Sequence, residues 1–520
     1  MDDRCQRLIA KADNALAQSN LTSAMLALNK IRRQFPDSPE LKIRDARIAL
    51  LQNEILTGTS ILTQLSQHSD LTSDTLDALI AALQQFELHF SLKQIIARIA
   101  DAQPDNLAVH IHLGQLLLQT GEVKEAISVL TRCATIAPDE AEIQLQLGHA
   151  NKALSDTRNA AEAYHRYIEL EPQFAGTGYW SLADLKAYRF SDEDIQSMDD
   201  VTLSSVYQTA LLTFARQRVA EQQGSEDAVA LLQQANQLMS GLRPFNQEGF
   251  LRLATDVRAD IPALPESEQT PQPVFIVGLP RSGTTLTEQI LAAHSEVATT
   301  DELPFMERIA MYLAKKGFYP KTLHALPEDE RQRCRAFYLQ QAGHYPLGQA
   351  SRFIDKNPNN FVHIGLIHTL FPEAKIVCLS RPVMDNLASL YRQMFSKGND
   401  YAFQPEQLTS YTNAFYDLMH FWRTRLPGAV NIVDYEQLVG DTNATISQLL
   451  DTCGLTFEAQ CLRFYDMDSP VLTPSASQVR QPVNNKSLGS GERYRSLFAA
   501  CAISPEALES KRQALLKQSG

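Results

Sequence analysis

The part of this sequence best suited to chemistry is a loop bracketed by two glycines. The stretch FIVGLPRSGTTL runs from an apolar strand through a turn between Gly278 and Gly283 into the start of a helix. Backbone N–H groups at a helix start bind anions. Arg281 adds a full positive charge, and the forked donors of its guanidinium group suit phosphate. Thr284 and Thr285 add hydroxyl donors. The loop therefore predicts a phosphate cradle, and a plain glycine turn in an α/β protein is the structural alternative.

Two features of a nucleoside-triphosphatase site are missing from this loop and its surroundings. Thr284 follows Gly283 where the lysine of such a loop would stand. A later apolar strand ends at Leu379 and continues as Ser380-Arg381, without an acidic residue to hold a metal. A loop with arginine and no metal partner suits a phosphate that is held and not cleaved. No metal site is expected.

The elements around the loop predict an α/β domain. Short β-rich runs at 274–277, 375–379 and 431–433 alternate with helical patterns, the first of which covers 285–293. Alternation of this kind is typical of a doubly wound fold with a central parallel sheet, and ligands bind at the carboxyl ends of its strands.

The first half of the chain contains an internal repeat. Pro36, Pro104, Pro138 and Pro172 lie at spacings that are multiples of 34, and two Leu-Gly pairs, at 113–114 and 147–148, are also 34 apart. Each of these glycines precedes a small residue, Ala126 or Ala160, and then a proline. Small residues allow two helices to pack closely, and proline then ends the pair.

This pattern resembles the tetratricopeptide repeat, a 34-residue helix-turn-helix unit that stacks into an all-α solenoid. Residues 107–138 and 141–172 fit it best, 73–104 are degenerate, and 175–240 are helical in pattern but off the consensus. We expect a helical domain over 1–240, a proline-rich linker over 241–272 and the α/β domain over 273–520. A repeat arm of this kind docks a protein or peptide partner, or serves as a dimerisation or spacer arm.

The loop PRSGTTL, with Arg281, Ser282, Gly283, Thr284 and Thr285, resembles the 5′-phosphosulfate loop of sulfotransferases that use PAPS (3′-phosphoadenosine 5′-phosphosulfate). Arg381 at a strand end, with Ser389 eight residues later, resembles the 3′-phosphate clamp of that family. The resemblance covers roughly 273–495. It implies a P-loop-like sulfotransferase domain, PAPS as co-substrate, adenosine 3′,5′-bisphosphate as product and no metal.

Four further residues resemble the tyrosylprotein branch of that family. Glu302, twenty-one residues after Arg281, falls at the position of the branch's catalytic base. Lys356 falls at that of the lysine at the scissile bond, Tyr435 at that of a nucleotide contact, and Ser475 at that of a residue in the C-terminal cofactor loop. The resemblance therefore implies that Glu302, Lys356 and Arg281 are catalytic. A helix-capping acid at Glu302 and a surface turn lysine at Lys356 are the structural alternatives.

Several positions depart from that branch. Two arginines that grip acidic acceptor residues fall on Pro304 and Arg308, so half of that clamp is absent. An arginine after the clamp serine falls on Gln393, with Arg392 adjacent. A late lysine falls near Ser490, where Lys486 or Arg493 could substitute. The order of repeat arm and α/β domain also resembles a bacterial group of tetratricopeptide sulfotransferases, whose acceptors are mostly undefined by sequence.

Composition excludes several classes of protein. The formal net charge of −13 argues against a nucleic-acid partner, and no apolar run is long enough to insert into a membrane. The seven cysteines are dispersed without CxxC pairs, and the N-terminus has no apolar core of a secretion signal. Together these features predict a reducing, cytoplasmic location.

Three functions are consistent with these observations. The first is PAPS-dependent sulfuryl transfer to a hydroxyl, possibly that of a tyrosine, with the repeat arm docking the acceptor or a partner. The second is a kinase or nucleotide hydrolase, and the third is a non-catalytic repeat scaffold whose α/β domain senses a nucleotide. The acceptor (protein tyrosine, sugar or small alcohol) and the oligomeric state are left open by the sequence.

Overall fold

The computed structural model describes residues 3–265, 271–467, 469–473, 476 and 478–517. The α-helices, in chain order, are α1 (Asp3–Ala17), α2 (Leu21–Arg32), α3 (Pro39–Leu51), α4 (Ile55–Ser66), α5 (Ser73–Gln85), α6 (His89–Ala102), α7 (Leu107–Gln119), α8 (Val123–Ile136), α9 (Ala141–Ala153), α10 (Thr157–Leu170), α11 (Ala175–Asp184), α12 (Asp192–Asp199), α13 (Val206–Gln223), α14 (Ala228–Leu242), α15 (Gln247–Asp256), α16 (Thr284–Ala292), α17 (Phe305–Lys315), α18 (Glu328–Ala342), α19 (Ile364–Leu370), α20 (Val383–Tyr391), α21 (Pro405–Arg425), α22 (Tyr435–Gly440), α23 (Thr442–Thr452) and α24 (Pro505–Lys517). The strands are β1 (Gln272–Gly278), β2 (Val297–Thr299), β3 (Arg352–Asp355), β4 (Lys375–Ser380) and β5 (Val430–Asp434).

The chain forms two compact units. The first contains the chain up to Pro138 together with Arg308–Gly317, and the second contains Asp139–Glu307 and Phe318–Gly520. In the first unit α1 packs on α2, α3 on α4, α5 on α6 and α7 on α8. Within α7, a Cβ on Gly114 would lie 2.6 Å from the Leu130 side chain of α8, so glycine is what lets the second helix approach.

The second unit begins with helix pairs built in the same way. In α9, a Cβ on Gly148 would lie 2.2 Å from the ring of Tyr164 in α10, and both Ala160 and Tyr164 are fully buried. The chain continues through α11, α13 and α14, which pack in sequence on one another. The predicted all-α repeat region is therefore confirmed, and the irregular part at 175–240 is helical as expected. Helix α15 lies within the segment 241–272.

A five-stranded parallel sheet forms the centre of the α/β region, in the order β2-β3-β1-β4-β5. The runs predicted at 274–277, 375–379 and 431–433 are β1, β4 and β5. Strands β2 and β3 were not predicted, because they are only 3 and 4 residues long. Because all strands are parallel, the segments that follow β1, β2, β3 and β4 leave the sheet at the same edge.

None of the helices that the structure describes combines the length and the apolar character that crossing a bilayer requires.

Candidate functional site

The phosphate-type loop is a tight turn between β1 and α16. Gly278 has φ 147°, Arg281 φ 65° and Gly283 φ 109°, so the chain adopts left-handed backbone conformations three times within six residues. A Cβ on Gly278 would lie 2.9 Å from the carbonyl oxygen of Leu379, and one on Gly283 would lie 2.7 Å from the Tyr435 ring. Glycine is therefore required at both ends of the loop, where the neighbouring strand and Tyr435 come close.

Arg281, Arg381, Ser389 and Tyr435, predicted from separate parts of the sequence, come together beside this loop; we refer to them as the arginine cluster. Arg281 Nε donates to Ser389 Oγ at 3.3 Å, and an Arg381 terminal nitrogen donates to the Arg281 carbonyl at 3.0 Å. The Arg381 guanidinium lies 5.2 Å from the centre of the Tyr435 ring. Parallel packing of β1 beside β4 explains this meeting, since both arginines follow the ends of those strands.

The arginine cluster holds more positive charge than its surroundings favour. Burial and the nearby Arg381 lower the pKa of Arg281 to about 10, and burial lowers the pKa of Arg381 as well. The second terminal nitrogen of Arg381 donates to the Ser487 carbonyl at 3.1 Å, and Arg281 donates to the Gln478 side-chain oxygen at 3.4 Å. These acceptors are neutral. An anionic ligand would therefore relieve the repulsion that the cluster carries.

Two buried polar atoms at the loop indicate what such a ligand would contact. Among the described residues, neither Ser282 Oγ nor Arg381 Nε has a hydrogen-bond partner, and Ser282 is 2% exposed. A buried polar group without a partner is costly, so each is a candidate ligand contact. Phosphate oxygens would satisfy both donors, so these residues fit a phosphorylated co-substrate.

A second group of charges lies where β2 and β3 end, and we call it the lysine–carboxylate cluster: Lys356 with Glu288, Asp301 and Glu302. Lys356 Nζ lies 2.6 Å from Glu302, 2.9 Å from Asp301 and 3.9 Å from Glu288. Lys356 is fully buried, which excludes a surface turn lysine, whereas the Glu302 side chain is 50% exposed. Burial disfavours the lysine's charge, yet the three carboxylates together raise the pKa of Lys356 well above its ordinary value.

Two carboxyl groups at this second cluster, Glu288 within it and Asp355 next to Lys356, are fully or almost fully buried. Burial raises the pKa of Glu288 to about 7, and its carboxylate accepts a hydrogen bond of 2.5 Å from the Thr299 hydroxyl. Burial also raises the pKa of Asp355 to about 7. Asp355 accepts a hydrogen bond of 3.3 Å from the backbone N–H of Leu303, so it anchors the residue that follows Glu302.

One cavity of about 1200 Å³ is lined by residues of both clusters. Its wall includes Arg281, Thr284 and Thr285 of the loop, Arg381, Ser389 and Tyr435, and the carboxylates Asp301 and Glu302. A ligand phosphate at the loop and a reacting hydroxyl near Glu302 could thus occupy the same space. Every predicted site residue that the structure describes is among the residues lining this cavity, with the exception of Lys356 and Ser282.

The C-terminal loop also reaches this cavity. Thr473 Oγ1 lies 3.2 Å from Thr285 Oγ1, and Gln478 accepts from Arg281. Tyr435 OH lies 3.1 Å from the Ser487 hydroxyl. Ser475, the residue predicted to bind the cofactor in this loop, lies outside the described residues.

The positions that depart from the tyrosylprotein branch have other partners. Arg392 and Arg493 both pair with the buried Glu221 of α13, at 2.6 Å each. Gln393 receives a hydrogen bond of 3.3 Å from Lys186. Arg308 pairs with Glu87 at 3.3 Å, within the first unit.

Sequence reasoning did not find the residues that the helices contribute. The cavity is also lined by Lys152, Asp184, Lys186 and Glu221, although these residues precede the start of the α/β region at 273 by 52 to 121 residues (273 − 221 and 273 − 152). Each is an ordinary charged residue in or after a helix of a repeat region. Only the tertiary packing of α9, α11 and α13 brings them to the loop, and we found no local sequence pattern that reports this.

Comparison with known proteins finds a family match in each of the two regions, the helical repeats and the α/β region. Residues 273–459 match the model of the family described as "Sulfotransferase family", and residues 92–147 match the tetratricopeptide repeat. An uncharacterized protein of Aquifex aeolicus (strain VF5) is 25% identical over 524 residues, which is 94% of this chain and 68% of the relative.

Two other matches are confined to part of the chain. A Caenorhabditis briggsae protein named "Putative protein-tyrosine sulfotransferase" is 25% identical over 226 residues, 42% of this chain and 80% of the relative. The solved sulfotransferase domain from the Synechococcus PCC 7002 olefin synthase is 19% identical, with a TM-score of 0.34 over 50% of this chain and 100% of that domain. The chain therefore contains a segment that matches the tetratricopeptide repeat, followed by an α/β region that matches the sulfotransferase family.

Proposed function

We propose that the protein transfers the sulfuryl group of PAPS in line to an acceptor hydroxyl, with Glu302 as general base. The observation that carries this proposal is a shared cavity. The arginine cluster, suited to the phosphates of a donor, and Glu302, exposed and paired with Lys356, line the same wall.

The donor would be held by residues from both ends of the cavity. The 5′-phosphosulfate would lie against Arg281, Ser282, Gly283, Thr284 and Thr285, where the first N–H groups of α16 and the orphaned Ser282 hydroxyl are available. The second phosphate would lie against Arg381 and Ser389, which fits the orphaned Arg381 Nε. Tyr435 and Ser475 would complete the nucleotide site.

When bound, PAPS supplies the sulfuryl group, which forms a bond to the acceptor oxygen as its bond to the 5′-phosphate oxygen breaks and the electron pair leaves with adenosine 3′,5′-bisphosphate. Glu302 accepts the proton of the acceptor hydroxyl. Lys356, held charged by its carboxylates, donates toward the oxygen on which negative charge develops. Arg281 stabilises the same charge from the loop.

The acceptor that we favour is a tyrosine hydroxyl of a protein or peptide. The named nematode relative supports this, and a repeat region is suited to docking a polypeptide. Pro304 stands where that branch has one of its two acid-gripping arginines, so we do not expect a requirement for acidic residues around the tyrosine.

Calorimetric titration with adenosine 3′,5′-bisphosphate, beside ATP with magnesium, tests the donor site. We expect binding of the bisphosphate by the wild type and a large loss in Arg381→Gln. Binding of ATP with magnesium but not of the bisphosphate would overturn the proposal and favour a kinase or hydrolase. Absence of binding by either nucleotide would favour the repeat scaffold.

Transfer from ³⁵S-labelled PAPS to a panel of tyrosine peptides, sugars and simple alcohols tests the acceptor. Glu302→Gln should lower the transfer rate by about 10²- to 10⁴-fold, because it removes a general base. The same variant should bind the bisphosphate normally, since the proposal assigns Glu302 to the acceptor hydroxyl and not to the donor phosphates. Unchanged transfer in Glu302→Gln would remove this residue from the mechanism.

A further inference from the structure

Three charged residues from the helical region form part of the cavity wall beside the arginine cluster. They are Lys152 of α9, Asp184 at the end of α11, and Lys186 two residues later. Asp184 is 6% exposed, and it pairs with both lysines; the distance to Lys186 is 2.8 Å. Burial alone would raise the pKa of Asp184, but the two lysines hold it well below its usual range.

This group carries one more positive charge than negative charge. Lys152 and Lys186 share the single carboxylate of Asp184, and the Lys186 side chain is still 27% exposed to the cavity. Burial, together with repulsion from Arg281, lowers the pKa of Lys186 to about 8, although Asp184 opposes this. Lys186 therefore lies close enough to the arginine cluster to feel its charge, and it gains from an anion in the same way.

The Lys186 ammonium contacts Gln393 of the α/β region. Its Nζ lies 3.3 Å from Gln393 Oε1, and the Gln393 amide nitrogen lies 3.4 Å from Asp184. Gln393 follows α20, the helix that carries Ser389 one turn earlier. Lys186 has φ 54°, and its carbonyl accepts a hydrogen bond of 3.0 Å from Arg218, so its backbone is held in place.

Two other cations near this position share one carboxylate. Arg392, next to Gln393, and Arg493, in the late C-terminal segment, are both bound by Glu221 at 2.6 Å. Their attraction lowers the pKa of Glu221 to about 2 against the opposing effect of its burial. Arg493 is not among the residues that line the cavity, and Arg392, which does line it, shares Glu221 with Arg493 and with Arg218 at 3.0 Å.

We propose that Lys186 binds the 3′-phosphate of the donor from the helical region, supplying beside Ser389 the positive charge that Gln393 does not provide. This inference rests on the proposed function, because it assigns a residue to the same donor site. It makes the repeat region part of the donor pocket and not only a docking arm. Lys186 then determines specificity for nucleotides that carry a 3′-phosphate.

Titration of Lys186→Gln with two nucleotides tests this assignment. The dissociation constant of adenosine 3′,5′-bisphosphate should rise about 10- to 100-fold, as expected for loss of a hydrogen bond to a charged group. That of adenosine 5′-monophosphate, which lacks the 3′-phosphate, should change less than about 3-fold. Lys186→Arg, which keeps the charge, should retain most of the bisphosphate affinity and shows whether the position tolerates substitution.

Two further variants make the test decisive. Lys486→Gln tests the rival lysine, which lines the same cavity and could substitute for the late lysine of the family; if Lys186 is the contact, the preference for the bisphosphate should persist in this variant. Gln393→Arg should restore affinity to Lys186→Gln, because it returns a cation to the same place. Equal losses for both nucleotides, or a selective loss in Lys486→Gln only, would overturn the assignment while the donor site stands. If the wild type does not bind the bisphosphate, the proposed function falls and the assignment falls with it.

Discussion

The arginine cluster and the lysine–carboxylate cluster lie on one cavity, yet their charges are balanced in opposite ways. In the first, burial and mutual repulsion lower the pKa of Arg281, and the arginines donate to neutral acceptors. In the second, one fully buried lysine is surrounded by three carboxylates that raise its pKa. An anionic ligand would therefore relieve the repulsion in the first cluster, while the second already pairs its lysine with carboxylates and carries more negative than positive charge.

The largest difference in stability between changes to the two clusters should come from Lys356→Met. This change leaves the buried Glu288 and the partly exposed Asp301 and Glu302 without their cation, and breaking a buried ion pair typically costs about 3–5 kcal/mol of unfolding free energy. Urea denaturation at pH 8 measures the loss. The loss should shrink at pH 5.5, because the carboxyl groups can then protonate, and Lys356→Arg should lose less. A loss below about 1 kcal/mol at pH 8 would show that the cluster does not need its lysine.

The corresponding change in the arginine cluster should behave differently. We expect Arg381→Gln to alter the stability of the ligand-free protein by less than about 1 kcal/mol, because it also relieves repulsion with Arg281. Adenosine 3′,5′-bisphosphate at 100 times its dissociation constant should stabilise the wild type by about 2.7 kcal/mol and the variant far less. Thermal unfolding with and without the nucleotide gives both numbers. A strongly destabilised ligand-free variant would contradict the contrast between the clusters.

The pH dependence of stability should report the two buried carboxyl groups near Lys356. Burial raises the pKa of Glu288 from 4.5 and that of Asp355 from 3.8, in each case to about 7. The folded protein therefore holds protons that the unfolded chain has released, and the stability they contribute below pH 4 is lost as the pH rises through 7. We expect the unfolding free energy to fall by on the order of 1–3 kcal/mol between pH 5 and pH 8.

Glu288→Gln provides the matched control for that measurement. It keeps the hydrogen-bonding shape but cannot titrate, so the decline between pH 5 and pH 8 should become shallower. A slope equal to that of the wild type would assign the decline to other groups.

The smallest predicted effect is stabilisation by inorganic phosphate. Phosphate at its dissociation constant should add only about 0.4 kcal/mol, measured as a small rise in melting temperature. The rise should exceed that given by chloride at equal ionic strength and should vanish in Arg381→Gln. A rise that survives in this variant would place the bound phosphate elsewhere.

Much of this site could be predicted because its parts lie next to recognisable elements. The glycines around Arg281 follow an apolar strand, and Arg381 follows another, so a parallel sheet brings them to one edge. The repeat could also be predicted, because Gly114 and Gly148 are 34 residues apart and each lies where the second helix of a pair packs closely on the first.

Other parts could not be predicted, for two physical reasons. Strands β2 and β3 are too short to show alternation, so the sequence did not place Glu302 and Lys356 at the ends of neighbouring strands. The contact between Lys186 and Gln393 joins residues that are 207 apart in the sequence. Such a contact depends on how helices pack, which a charged residue after a helix does not reveal.

The contacts of Glu221 limit where the chain can be truncated without disturbing the α/β region. From α13 it binds Arg392, Arg493 and the hydroxyl of Tyr494, three groups that belong to the α/β region. A chain cut at residue 273, where the family match begins, would strip these groups of their carboxylate and remove Lys186 from the cavity. The compact unit begins instead at Asp139. The segment that matches the sulfotransferase family is thus smaller than the compact unit that contains it, and a truncated chain meant to keep the cavity would have to include the helices from α9 onward.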